Sequence, residues 1–358
     1  MQGNYKALWL SDDMFDECLE VIDQRQLPFF YDTKYLTDTE EVVTAIKNMT
    51  IRGAGVIGSV AAFGIYIAAI EVEGDYELLK EKAALIRESR PTAVNLMWAV
   101  DKMMGMLEDS KDIIADARRF AIELNDKEAQ ESQKIAEHGC DIIEDIMKQK
   151  NKTKINILTH CNAGWLAVID EGTALAPIYE AKRRGIDVHV WVDETRPRNQ
   201  GASLTAWELA KSGIAHTIIA DNTGGHLMQT GEVDMVIVGA DRVSANGDAA
   251  NKIGTYLKAL AAYDNGVPFY VAIPESTFDF NIEKGSDIPI ELRSEDEVKY
   301  IKGVDSEGEI REVLITPKDS PAINYGFDVT PARLITGLIT NKGVCKADFD
   351  EIKEKFRG

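Results

Sequence analysis

Cys161 and Asp241 are the two side chains best placed for chemistry. Cys161 stands in Thr159-His160-Cys161-Asn162-Ala163-Gly164, directly after Ile155–Leu158, an apolar run long enough for one buried strand. A cysteine at a strand end, ahead of a helix N-terminus, is in a setting that activates a thiol. An arbitrary cysteine is more commonly a small buried hydrophobe. Asp241 closes a second apolar run, Met235-Val236-Ile237-Val238-Gly239-Ala240. Such a carboxylate serves as a solvated loop acid or, when desolvated, as a general acid. A hydrolytic pair of Cys161 with His160 is disfavoured, because consecutive residues of an extended chain point to opposite sides. His138, His189, His216 and His226 show no metal-ligand spacing and read as structural or surface residues.

Positive charge is available nearby in sequence. Arg52 precedes Gly53-Ala54-Gly55-Val56-Ile57-Gly58, which matches G-x-G-x-x-G. That pattern marks a dinucleotide site only between a strand and a helix. Here helical patterns lie on both sides, so no nucleotide is expected. Bare N–H groups at a helix start beside a guanidinium suit a phosphate. The same residues also describe a glycine-lined helix contact with a surface arginine. Asn251-Lys252 follows the turn Asn246-Gly247-Asp248, and Lys252 is either a surface lysine or a cation close to Asp241. A cysteine and an aspartate facing each other, with Arg and Lys for a phosphate, suit proton transfer on a sugar phosphate.

The elements that must position these residues alternate from about residue 150 onward. Strands are expected at Ile155–Leu158, Val188–Val192, Thr217–Ala220, Met235–Val238 and Phe269–Ile273, with helical patterns between most of them. A helix is expected from about Leu166, an acidic irregular excursion over residues 282–317, and the last helix at Thr330-Pro331, where Thr suits the N-cap and Pro the first turn. This is the pattern of an open parallel sheet whose strand-end loops hold the ligand. Upstream, short strands are expected at Tyr5–Leu10 and Gln26–Tyr31, then a helix over residues 37–49 capped by Thr37 with Glu40 closing a capping box. Residues 54–70, 78–89, 95–107 and 112–147 read as further helices, the first of them buried in protein rather than in a membrane. The fold class is therefore α/β: a mostly helical N-terminal domain over residues 1–130, then a Rossmann-like parallel-sheet domain over 131–358.

The chain has 358 residues, a formal net charge of −20, 45% hydrophobic and 28% charged residues. Its length favours two domains, and its acidity argues against a nucleic-acid partner. Four scattered cysteines without C-x-x-C spacing read as free thiols of a reducing cytoplasm. The N-terminal residues lack the apolar stretch of a signal peptide.

Taken together, Arg52-Gly53-Ala54, Arg90-Pro91-Thr92-Ala93-Val94-Asn95-Leu96, the Cys161 loop, Asp193-Glu194-Thr195-Arg196-Pro197, Gly239-Ala240-Asp241-Arg242, Asn251-Lys252 and Phe327-Asp328-Val329-Thr330-Pro331 resemble the signature of methylthioribose-1-phosphate isomerases. The wider superfamily includes ribose-1,5-bisphosphate isomerases and regulatory subunits of translation initiation factor 2B. The resemblance implies a homodimer, methionine salvage, and conversion of a furanose 1-phosphate into an open-chain ketose 1-phosphate without metal or nucleotide cofactor. It implies Cys161 and Asp241 as the catalytic pair, acting by proton transfer or alongside a hydride shift. It also implies that Arg52, Gly53, Ala54, Arg90, Gln200, Asn251 and Lys252 bind substrate. Departures from the pattern at Gly55, Trp165, Asp170-Glu171 and Asp221–His226 leave the group on sugar C5 open: methylthio, methyl or a larger polar group. A non-catalytic regulatory subunit is the rival reading, and Cys161 together with Asp241 speaks against it.

Overall fold

The structure, a computed structural model, describes residues 6–11, 18–90 and 94–357. The chain divides into two compact units, Met1–Gln133 with Gly164–Gly172, and Lys134–Ala163 with Thr173–Gly358.

The first unit opens with an antiparallel sheet of β1 (Leu8–Ser11), β2 (Cys18–Ile22) and β3 (Thr33–Leu36), in that order. The strand expected at Gln26–Tyr31 does not form. The amides of Phe29 and Phe30 both bond the Gln26 carbonyl in tight turns, and both rings are exposed. The buried strand is instead Cys18–Ile22, every residue of which is covered. Helix α1 (Thr39–Lys47) is capped by Asp38, whose carboxylate accepts the Glu41 amide, and not by Thr37. Thr37 donates its own N–H and hydroxyl to the Glu41 carboxylate, so Glu41 reaches back past the cap to the residue before it and the expected capping box does not close.

Helix α2 (Ala54–Glu71) is apolar around its whole circumference and buried from Gly55 to Ala69, as such a helix must be in a globular core. Around it lie α3 (Tyr76–Arg87) and α4 (Val94–Leu107). Helix α5 (Ile113–Lys150) contributes its first part to this unit and its remainder, from Lys134, to the second.

The second unit follows the expected alternation: β4 (Lys154–Thr159), α6 (Ala176–Arg183), β5 (Asp187–Asp193), α7 (Ala206–Lys211), β6 (Ala215–Ile219), α8 (Thr223–Gln229) and β7 (Met235–Val238). A hairpin of β8 (Arg242–Ser244) and β9 (Ala249–Lys252) leads to α9 (Thr255–Asp264) and β10 (Phe269–Ala272). Among the described residues seven strands form the main sheet, in the order β16-β15-β10-β7-β4-β5-β6. Here β15 (Gly337–Thr340) runs parallel to β10, and β16 (Gly343–Cys345) is an antiparallel edge. All five expected strands are present, and β7 is buried at every position, as in a parallel sheet covered on both faces.

Three expectations are corrected here. No helix starts at Leu166: residues 164–172 make turns, with Asp170 and Gly172 at positive φ, and α6 begins only at Ala176, with Pro177 in its first turn. Residues 282–317 are not irregular throughout. They contain a short helix, α10 (Asp296–Lys299), and the hairpin β12 (Tyr300–Val304) to β13 (Ile310–Leu314), preceded by β11 (Phe278–Asp279). Thr330 ends a strand, β14 (Phe327–Thr330), paired antiparallel with β9, and Pro331 leads into a single 3-10 turn. A β-branched residue followed by proline suits a strand exit as well as a helix entry. The last helix is α11 (Phe349–Arg357).

Candidate active site

In the main sheet the chain runs from β4 outward to β5 and β6, then returns to place β7 on the other side of β4. The strand order therefore reverses between β4 and β7. Ligands of open α/β sheets bind outside the carboxyl ends of the strands at such a point. Cys161 follows the end of β4 and Asp241 follows the end of β7, on neighbouring strands registered Leu158 to Val236. The two loops touch: a Cβ on Gly239 would lie 2.8 Å from the Ala163 Cβ, so only glycine lets them pass.

Cys161 is held from several sides. It adopts φ 66°, in the left-handed region, and is 8% exposed. Its amide donates to Thr195 Oγ1 at 2.8 Å, its carbonyl accepts the Thr205 hydroxyl at 2.6 Å, and its Sγ lies 3.5 Å from Gln200 Oε1. Thr195 is itself at φ 66°, unusual for a β-branched residue. Its amide donates to Asp221 Oδ1 at 2.7 Å and its hydroxyl to the Asp193 carbonyl at 3.0 Å.

His160 turns away into a buried network. Nδ1 lies 2.9 Å from Asp193 Oδ2 and Nε2 lies 2.9 Å from the Ile253 carbonyl, so both nitrogens are engaged and no Cys–His pair forms. Lys258 Nζ approaches the same Asp193 oxygen at 3.2 Å and also donates to the Asp221 carbonyl. His160, Asp193 and Asp221 are the one grouping among the described residues with metal-ligand reach. Lys258 already supplies the cation there, so the residues fit an internal ion-pair network better than a metal.

Asp241 is exposed, and its amide donates to the Ala250 carbonyl at 2.9 Å. That bond ties the Asp241 loop to β9 and brings Asn251 and Lys252 beside it. Asn251 is buried and donates to Thr255 Oγ1 at 3.0 Å, while Lys252 Nζ stands 5.0 Å above the Phe327 ring. Opposite Asn251, Asp328 caps α9 by accepting the amides of Gly254 and Tyr256. Burial pushes its carboxyl above the usual range, against the pull of those two amides.

The remaining expected residues, Arg52, Gly53, Ala54 and Arg90, belong to the first unit. The nucleotide fingerprint lacks its strand, since α1 precedes it and α2 follows. Gly53, at φ 90°, has no room for a side chain: a Cβ would sit 2.4 Å from the Ala167 Cα. The Ala167 carbonyl accepts the Val56 amide at 3.0 Å. The glycines thus serve a close contact with the 164–172 segment. Gly58 packs against Asn95, which sets the start of α2 beside the start of α4. Arg52 and Arg90, each just upstream of one of these helix starts, are half-buried. Pro91-Thr92-Ala93 of the sequence motif lie outside the described residues.

Sequence reasoning singled out Gln200 only through the resemblance, and it missed Thr195, Thr205, Asp193 and Lys258 as partners of the Cys161 loop. The one available signal was that Asp193 ends an apolar strand run.

The model of the initiation factor 2 subunit family matches residues 50–347. The methylthioribose-1-phosphate isomerase of Sulfurimonas denitrificans is 84% identical over 359 residues, covering 100% of both chains. The crystal structure of 5-methylthioribose 1-phosphate isomerase from Pyrococcus horikoshii OT3 matches with a TM-score of 0.85 at 36% identity, over 98% of this chain and 96% of that one. The translation initiation factor eIF-2B subunit delta from A. fulgidus matches with a TM-score of 0.84 at 33% identity, over 99% of each chain.

Proposed function

The chain belongs to the initiation factor 2 subunit family and, within it, to the methylthioribose-1-phosphate isomerases, and from that premise we propose how its residues work. The protein is an aldose–ketose isomerase that converts 5-methylthioribose 1-phosphate into 5-methylthioribulose 1-phosphate. Full-length identity with an isomerase carries this reading. The fold does not, because an isomerase and an initiation factor subunit share it.

The phosphate blocks the anomeric oxygen, so the ring cannot open to a free aldehyde. In the mechanism we infer, Asp241 as the acid protonates the ring oxygen while the C1–O bond breaks. The Cys161 thiolate removes the C2 proton, which gives an enol. The enol collapses to the ketone as Cys161 returns its proton to C1 and the hydroxyl proton goes back to Asp241. Atoms balance and both groups are restored. Support comes from the placement of both residues at the sheet's switch point and from the contact between their loops.

Arg52, Gly53, Ala54, Arg90, Gln200, Asn251 and Lys252 are assigned to substrate binding. Charge favours the arginines and Lys252 for the phosphate. A homodimer in the cytoplasm completes the proposal, and four cysteines that form no disulfide fit a reducing compartment. Sedimentation of the purified protein checks the dimer.

The deciding experiment is proton NMR of the purified enzyme in deuterated water, with 5-methylthioribose 1-phosphate, 5-deoxyribose 1-phosphate and ribose 1,5-bisphosphate in parallel. Conversion of the first at the highest kcat/KM is expected, with deuterium at C1 of the ketose to the extent that the Cys161 thiol exchanges with solvent before it returns the proton. Preference for another sugar would reassign the C5 group. Deuterium at C1 would exclude a direct hydride shift from C2.

A further inference from the structure

Between β5 and α7 the chain makes one π-helical turn, Gly201–Thr205, closed by the Ala206 amide on the Gly201 carbonyl. Single π turns of this kind are rare. This one is wedged against the end of β5: a Cβ on Gly201 would fall 1.7 Å from the Asp193 carbonyl oxygen, so the turn fits there only with glycine. Gln200, just before the turn, and Thr205, its last residue, both reach Cys161, the first at the sulfur and the second at the carbonyl.

The turn explains why they can. In an α-helix, residues five apart are rotated by roughly 140° from one another, so one of the pair would face away. An i→i+5 turn is wider, with more residues to each turn, and so reduces that rotation. We propose that this π turn is a clamp in which Thr205 and Gln200 are positioning residues that fix Cys161 in its left-handed conformation, with the thiol aimed for proton transfer. The proposal rests on Cys161 being the catalytic thiol.

The clamp is itself anchored. Asn162, next to Cys161, donates through Nδ2 to Thr205 Oγ1 at 3.2 Å and to Glu208 Oε1 at 2.8 Å. Tyr179 donates its hydroxyl to Glu208 Oε2 at 2.7 Å. Thr205 and Glu208 are fully buried, so the geometry is over-determined, as a strained backbone at a functional site requires. A side-chain amide also suits both states of the sulfur: its oxygen accepts from the thiol and, after a half-turn, its NH2 donates to the thiolate.

The test compares wild type, Thr205→Val, Thr205→Ser, Gln200→Leu and Cys161→Ser in steady-state turnover. It also measures, by peptide mass spectrometry and without substrate, the pH dependence of Cys161 alkylation by iodoacetamide. Cys140 and Cys345 do not interfere, because burial pushes their thiols up to about 12 and about 11.

Thr205→Val should lower kcat on the order of 10–100-fold with KM little changed, and should shift the alkylation profile. Thr205→Ser should restore both. Wild-type kcat and profile in Thr205→Val, or equal damage in Thr205→Ser, would overturn the clamp. Should the valine variant not fold, the Gln200→Leu profile decides in the same way, since it needs no substrate. Normal turnover of Cys161→Ser would instead defeat the catalytic assignment of Cys161, while the alkylation profile still reports on the clamp.

Discussion

Two backbone positions in this molecule have nearly the same local problem and solve it differently. Gly53, at the start of α2, and Cys161, after β4, both sit at positive φ. At Gly53 the chain uses the residue for which that conformation costs least, and the bare Cα lets the Ala167 backbone approach. At Cys161 it keeps a side chain that costs about 1–3 kcal/mol in such a conformation, and surrounds it with hydrogen bonds to Thr195 and Gln200 and from Thr205. The first is a packing solution. The second is what the proposed role of the Cys161 thiol requires.

The sharpest way to break that comparison is to give Cys161 the residue that Gly53 has. Cys161→Gly relieves the backbone and removes the thiol, so kcat should fall by roughly 10³-fold. The melting temperature should stay within a few degrees of wild type. Asp241→Asn should cost a similar factor with an unchanged melt, because its side chain is exposed. Turnover and thermal melts on the same preparations check both, and normal turnover in either would remove that residue from the mechanism.

Next in size is the converse change in the first unit. A Cβ on Gly55 would lie 2.0 Å from Glu128 Oε1 and 3.0 Å from the Val168 Cα. The carboxylate can rotate but the Val168 backbone must shift, so Gly55→Ala should destabilise by about 1–3 kcal/mol in denaturant titration. Stability equal to wild type would show that the helix start has more room than these distances allow.

The smallest effect concerns Glu128 itself. Burial pushes its carboxyl up to about 7 from an ordinary 4.5, opposed by the hydrogen bond from Ser59, while the charge of Glu131 adds to the rise. A carboxyl raised in the fold stays protonated there while the unfolded chain ionises. Its cost therefore grows as pH rises from about 4.5 to about 7 and is constant above. Glu128→Gln should gain about 2 kcal/mol at pH 8 and nothing at pH 4. A pH-independent difference would mean that Glu128 is solvated like a surface acid.

Much of the main sheet was legible because it rested on local signals. Short apolar runs ending in polar residues marked β4, β5, β6, β7 and β10, and a parallel sheet puts such strand ends on one edge. That placed Cys161 and Asp241 each just beyond a strand end on that edge. The helix expected at Leu166 failed for a different reason. Trp165 to Ile169 are apolar because they are buried as turns in the first unit, and burial alone does not distinguish a turn from a helix. Thr330-Pro331 carried a helix-start signal that a strand exit satisfies equally.

The amino-acid order by itself determined the alternation of strands and helices, the buried α2 and the family signature, since these depend on periodicity and residue type over a few neighbours. The tertiary structure alone decided that the strand order reverses between β4 and β7. It also decided that Thr195 and Thr205 hold Cys161, and that His160 is taken by Asp193 and Ile253. Those partners lie 33 to 93 residues away along the chain, so no local pattern encodes them. They meet only when burial of the sheet has fixed which strands are neighbours.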